Sequence, residues 1–147
     1  MRIMAVAGRS EDFPHLEVDE LLLSSSDLTR RIFRKRTQSG REVKVTLPRH
    51  TILRPGDVLL VDVATMVVVR VQPEWLLAIR PTGFAQIAEI GHQLGNRHIP
   101  IQIDDAELLV QYLPVLEQLC VTLQVQHEKV YRAVNKPFLH IFAPHIH

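Results

Sequence analysis

The apolar pattern of this chain changes once, at Gln72-Pro73-Glu74, and that change restricts the fold more than any other feature. Before it, apolar residues fall in short alternating runs, as strands require. Val43, Val45 and Leu47 alternate with Glu42, Lys44 and Thr46, the pattern of a half-buried strand. Residues 18–23, 29–37, 58–63 and 66–71 also read as strands, the last two rich in β-branched side chains. Ser24-Ser25-Ser26-Asp27, Ser39-Gly40 and Arg54-Pro55-Gly56-Asp57 read as turns, and Ala64-Thr65 joins the last two runs. Pro55 and Gly56 suit the central positions of a type II turn. Residues 1–72 are therefore expected to form an all-β domain.

Beyond the break the order is mixed. Residues 75–80 read as a strand, 84–94 as a helix, 99–103 and 106–110 as strands, and 113–119 as a second helix. Asp104-Asp105 is a turn, and Val121, Leu123 and Val125 alternate as a last strand. The order β-α-β-β-α-β is the split βαβ of a ferredoxin-like domain, expected over residues 73–130. The chain is thus α+β. Residues 131–147 read as a flexible tail ending in Pro144-His145-Ile146-His147.

The exit of the first expected helix holds two of the eight histidines. Phe84, Ile87, Gly91 and Leu94 recur at the spacing of one helix face. Gly95 fits the left-handed cap, where a missing Cβ removes the steric cost. Ile99, Ile101 and Ile103 then alternate with Pro100 and Gln102. His92 falls in the last helical turn and His98 just past the exit. A histidine held there suits a metal ligand or a proton carrier, and equally an ordinary polar residue. The two are six residues apart across a cap, so they do not form the i, i+4 pair of a helical zinc site.

Charge and composition narrow the function classes. The net charge of +1 over 147 residues offers no global attraction for nucleic acid or an acidic membrane. The basic run Arg30-Arg31-Ile32-Phe33-Arg34-Lys35-Arg36 is read as a solvated strand face. No stretch approaches the ~20 apolar residues of a membrane helix. The single cysteine, Cys120, precludes an internal disulfide and suits a reducing cytosol; its apolar neighbours mark a buried structural thiol. No phosphate loop, G-x-S-x-G, H-E-x-x-H or C-x-x-C is present, so no enzyme signature is found.

The run from His92 to Ile103 closely resembles the H-x-LGNRH-x-P-x-QI signature of the urease accessory nickel chaperones, the UreE family. Leu47-Pro48-Arg49-His50-Thr51-Ile52-Leu53-Arg54-Pro55-Gly56-Asp57-Val58-Leu59 is similar to that family's LPR-x-x-x-LR-x-GD-x-L segment. The resemblance implies a β-rich partner-binding domain followed by a ferredoxin-like domain. It implies a cytoplasmic homodimer with one metal shared between chains through the LGNRH histidine, here His98. Mobile tail histidines, here His145 and His147, would complete the coordination. The cargo would be Ni²⁺, with Zn²⁺ and Cu²⁺ also binding in vitro, since imidazole suits all three. The implied partners are the urease accessory GTPase and, through it, the urease apoprotein complex. With only His140, His145 and His147 in the tail, few sites per dimer are expected, and residues 110–114 hold no histidine for a secondary one. The rival reading is a protein-interaction or folding-helper module whose histidines are incidental.

Overall fold

The computed structural model describes residues 2–138. They form two compact units. One takes the chain up to Gln72 and the segment Ala133–Pro137; the other takes Pro73–Arg132 and Phe138.

The first unit contains β1 (Arg2–Ile3), β2 (Gly8–Arg9), β3 (Glu17–Leu23), β4 (Ile32–Arg36), β5 (Glu42–Thr46), β6 (Asp57–Val61) and β7 (Thr65–Val71). They make a three-stranded sheet, β1-β5-β4, and a four-stranded sheet, β2-β6-β7-β3. β3 and β7 pair in parallel from Glu17↔Thr65 to Leu23↔Val71. The alternation expected of β5 is present: Val43, Val45 and the following Leu47 are buried, while Glu42 and Lys44 face water. The turn before β6 is as expected. Gly56 has φ 91°, and the Asp57 N–H donates to the Arg54 carbonyl at 3.0 Å. A Cβ on Gly56 would stand 2.8 Å from Arg9 Nη2, and Arg9 itself pairs with Asp57 at 2.9 Å. The β6–β7 turn is displaced by one residue from the expected Ala64-Thr65. Asp62 N–H donates to Thr65 at 2.7 Å, so Val63 and Ala64 form the tip.

Ser24 and Asp27 cap the short 3-10 turn Ser25–Thr29 reciprocally. The Asp27 carboxylate also meets Lys35 at 3.0 Å and Arg30 at 3.2 Å. Arg34 and Arg36 lie 3.9 and 3.8 Å from Glu42. The basic run is therefore interleaved with acids, as a solvated strand face should be.

The second unit contains β8 (Glu74–Arg80), α1 (Phe84–Asn96), β9 (Gln102–Ile103), β10 (Leu108–Gln111), α2 (Pro114–Thr122) and β11 (Gln126–Arg132). The sheet order is β11-β8-β10-β9, with every neighbouring pair antiparallel. Leu77 and Ile79 of β8 and Val110 of β10 pack with Ile90 and Leu94 of α1 and Leu116 and Cys120 of α2. Burying these side chains is the main source of stability in a sheet covered by helices.

Three expectations are corrected here. The last strand is Gln126–Arg132, not the run through Val121, Leu123 and Val125. Val121 lies inside α2 and is 53% exposed, because the helix continues to Thr122 before turning. β11 escaped notice because an edge strand paired only with β8 can be polar on most positions. Second, Ile103 is 56% exposed and Gln102 is buried, so the alternation begun at Ile101 breaks at the short edge strand β9. Third, the buried face of α1 carries Ile90 and Leu94, whereas Phe84 (89% exposed) and Ile87 (52%) point to water with Gly91.

Candidate metal centre

Helix α1 determines where His98 sits. Gly83, at φ 80°, opens the helix, and Ile90 and Leu94 hold it on the sheet. The exit does not use Gly95 as the left-handed residue. Gly95 is still helical, and His98 takes φ 55°. The Ile99 N–H donates to Leu94 O at 3.1 Å and the His98 N–H to Gly95 O at 3.0 Å. These two bonds are a Schellman cap with His98 at the position just past the helix. Ile99 packs against the core cluster that contains Leu94, the apolar contact that accompanies such caps. A non-glycine residue at left-handed φ is disfavoured by about 1–2 kcal/mol, less so for histidine than for most.

The same turn ends α2. Val125 N–H donates to Cys120 O at 2.9 Å and Gln124 N–H to Val121 O at 3.1 Å, with Gln124 at φ 56°. One signal was readable in both places. An apolar pair five residues apart, Leu94 with Ile99 and Cys120 with Val125, encloses a polar residue just before the second member.

His98 is exposed. Its neighbours on the last turn are occupied with one another. The Asn96 amide nitrogen lies 3.2 Å from His92 Nε2. Arg97 Nη1 donates to Gln93 Oε1 at 2.7 Å. Asn96 and Arg97 thus do cap chemistry. A histidine in the last turn is also favoured by the helix dipole when charged. His145 and His147, and His140 with them, lie outside the described residues. Among the described residues, no three His, Cys, Asp or Glu side chains converge as a metal site.

Cys120 lies on the inner face of α2 and is fully buried. Burial, together with the nearby Glu117 carboxylate, pushes its thiol up to about 11, so it stays protonated and is a poor ligand at neutral pH. No helix among the described residues is long and apolar enough to cross a membrane.

Residues 3–72 match the model of the UreE urease accessory protein N-terminal domain, and residues 74–138 match that of the C-terminal domain. The chain belongs to the UreE family of urease accessory proteins. It is 38% identical over 143 residues to the urease accessory protein UreE of Geobacillus kaustophilus, covering 96% of this chain and 97% of that one. It is 41% identical over 136 residues to the corresponding protein of Staphylococcus saprophyticus, covering 92% and 89%. The protein of Staphylococcus carnosus is 39% identical over 140 residues, covering 95% and 93%.

This UreE-family chain also carries an aromatic group beside β8, whose members lie too far apart in the sequence to form a local motif. Trp75 and Tyr131, paired in register, have ring centroids 5.0 Å apart. Lys129 Nζ lies 4.1 Å from the centre of the Tyr112 ring, and the Tyr112 hydroxyl donates to Glu117 Oε1 at 2.8 Å. That hydrogen bond, reinforced by burial and the Glu117 charge, raises the Tyr112 pKa. The group ties β8, β10 and β11 to the start of α2.

Proposed function

We propose that this chain is a non-catalytic, cytoplasmic carrier that delivers Ni²⁺ for assembly of the urease active site. Its second unit is read as a ferredoxin-like domain through which two chains associate. His98 of each chain would hold one shared ion, with His145 and His147 completing the coordination from the tail.

The observation that carries this reading is the placement of His98. It is exposed at the end of a helix whose outward face is apolar: Phe84 and Ile87 lie in water with Gly91 between them and the exit. Exposed apolar surface of this kind marks an interaction site. A twofold axis passing close to His98 would bring that residue near its own copy, which turns one ligand into two. No three candidate side chains converge among the described residues, so further donors would come from the second chain or from the tail.

Such a site fits a carrier. A closed four-ligand cage within one chain would release its ion slowly, while a shared surface site with donors from chain ends can open to a partner. The partners would be the urease accessory GTPase and, through it, the urease apoprotein complex, with the β-rich first unit as the docking surface. Affinity alone does not select nickel, since imidazole sites bind Cu²⁺ more tightly and Zn²⁺ comparably. Selection would rest on supply and hand-over.

The test is a calorimetric Ni²⁺ titration with mass measured in parallel, on the wild type and on His98→Ala. One ion per two chains, lost in the variant without loss of fold, is expected. One ion per chain that survives the substitution would move the site to the tail and refute the shared role of His98. Absence of binding in both would favour the interaction-module reading.

A further inference from the structure

Two residues near the exit of α1 occupy positions that work against stability. Gly95 lies inside the helix, where glycine is unfavourable. His98 takes the left-handed position, where glycine is the ordinary occupant. Exchanging those choices would make a more stable helix end. The exit of α2 breaks only the second rule, at Gln124, so the two broken together mark the exit of α1 as a site kept for another reason.

We infer that the left-handed cap is a positioning device for His98. Closure of the Schellman turn by Ile99 and Leu94, and not mere location at a helix end, aims the imidazole. A left-handed φ swings the Cα–Cβ bond out of the spiral that a helical φ would continue. The two cap hydrogen bonds, 3.0 and 3.1 Å long, fix that backbone. Ile99 is the positioning residue: packed on the core cluster, it prevents the turn from unwinding. Position 97, with φ −89° and ψ 1°, is the nearest place from which an imidazole would leave in a different direction. This inference rests on the metal-carrier reading above and deepens it, because a ligand shared across a twofold axis needs a defined direction in each chain.

The exit of α2 provides a matched control, with the same backbone at Gln124 and no ligand assigned to it. The experiment compares four variants of the full chain, measuring Ni²⁺ affinity and the melting temperature of the metal-free protein. They are His98→Gly, Gln124→Gly, Ile99→Ala, and a double variant, Arg97→His with His98→Gly. Gln124→Gly should raise the melting temperature by about 2 °C and keep nickel, whereas His98→Gly should keep the fold and lose nickel. The double variant keeps an imidazole one residue away and should melt slightly below His98→Gly, because position 97 no longer donates to Gln93. Its nickel binding should be roughly 10- to 100-fold weaker than wild type, the range seen when orientation of a ligand is lost. Ile99→Ala, assayed well below its melting temperature, should weaken nickel by a factor of about 10 with His98 still present.

Wild-type affinity in the double variant would overturn the positioning role, and so would unchanged affinity in Ile99→Ala. If His98→Gly left nickel binding as in the wild type, the shared His98 site would be refuted and the inference with it. A failure confined to the double variant or Ile99→Ala would leave the carrier reading standing.

Discussion

The exits of α1 and α2 share a backbone and differ in what they present. Each turns through a polar residue at left-handed φ, 55° at His98 and 56° at Gln124. Each closes on an apolar pair five residues apart, and each returns the chain to the sheet. At α2 the turn leads at once into the seven-residue β11, and the Gln124 carbonyl accepts from Gln86 Nε2 at 3.2 Å. At α1 the turn leads through Pro100 to the two-residue β9, and the helix behind it shows an apolar face to water. The turn is thus a general way of bringing a helix back over a sheet. Only the residue at its apex, and the surface beside it, distinguishes a candidate ligand from a connector.

Core truncation should separate the two exits most strongly. Leu94→Ala and Leu116→Ala both empty fully buried positions in one core cluster and should each destabilise the second unit by about 3 kcal/mol in denaturant titrations. Leu94 also closes the cap beneath His98, so its truncation should weaken Ni²⁺ binding under conditions where both variants are folded. Equal nickel affinities in the two would show that the cap and the site are uncoupled.

Acid provides a lever that touches neither exit. Burial alone would raise the Asp27 carboxyl, but hydrogen bonds from Lys35 and Ser24 outweigh it and hold the group at about 2. The folded value lies below the ordinary 3.8, so the stabilisation is complete above pH 3.8 and is lost as pH falls through about 2. The shift corresponds to about 2 kcal/mol. Circular dichroism should show a first-unit stability that falls across this window and a flatter slope in Asp27→Asn. An identical slope in the variant would assign the acid sensitivity to other carboxylates.

The smallest effect concerns Cys120, whose carbonyl is the acceptor that closes the α2 exit. A buried thiol held at about 11 should react slowly with thiol reagents at pH 8, and Ni²⁺ should leave that rate unchanged. Protection by nickel would link the α2 exit to metal binding and remove the contrast between the two turns.

Much of the second unit was legible because its elements carry strong local signals. Helix α1 has apolar residues at helical spacing, and β8 carries a continuous apolar run from Trp75 to Ile79. The face of α1 was misjudged because Phe84 and Ile87 are as apolar as Ile90 and Leu94, and periodicity cannot tell a core from a docking face. β11 was displaced because Val121, Leu123 and Val125 satisfy strand alternation while also serving the end of a helix. His98 was located from its motif, but its left-handed backbone was assigned to Gly95, since glycine is the usual signal and the apolar pair was not weighed. The donors that join His98 carry no local sequence signal, because a second chain contributes by symmetry and not by spacing; His145 and His147 lie outside the described residues.

The central claim is that one nickel ion is held by His98 from two chains. Nickel-edge X-ray absorption of the complex prepared at one ion per two chains examines that coordination directly. The account predicts imidazole scattering that falls sharply in His98→Ala, with no sulfur in the first shell because Cys120 is buried and protonated. A spectrum unchanged by the substitution would contradict it and place the ion on other donors.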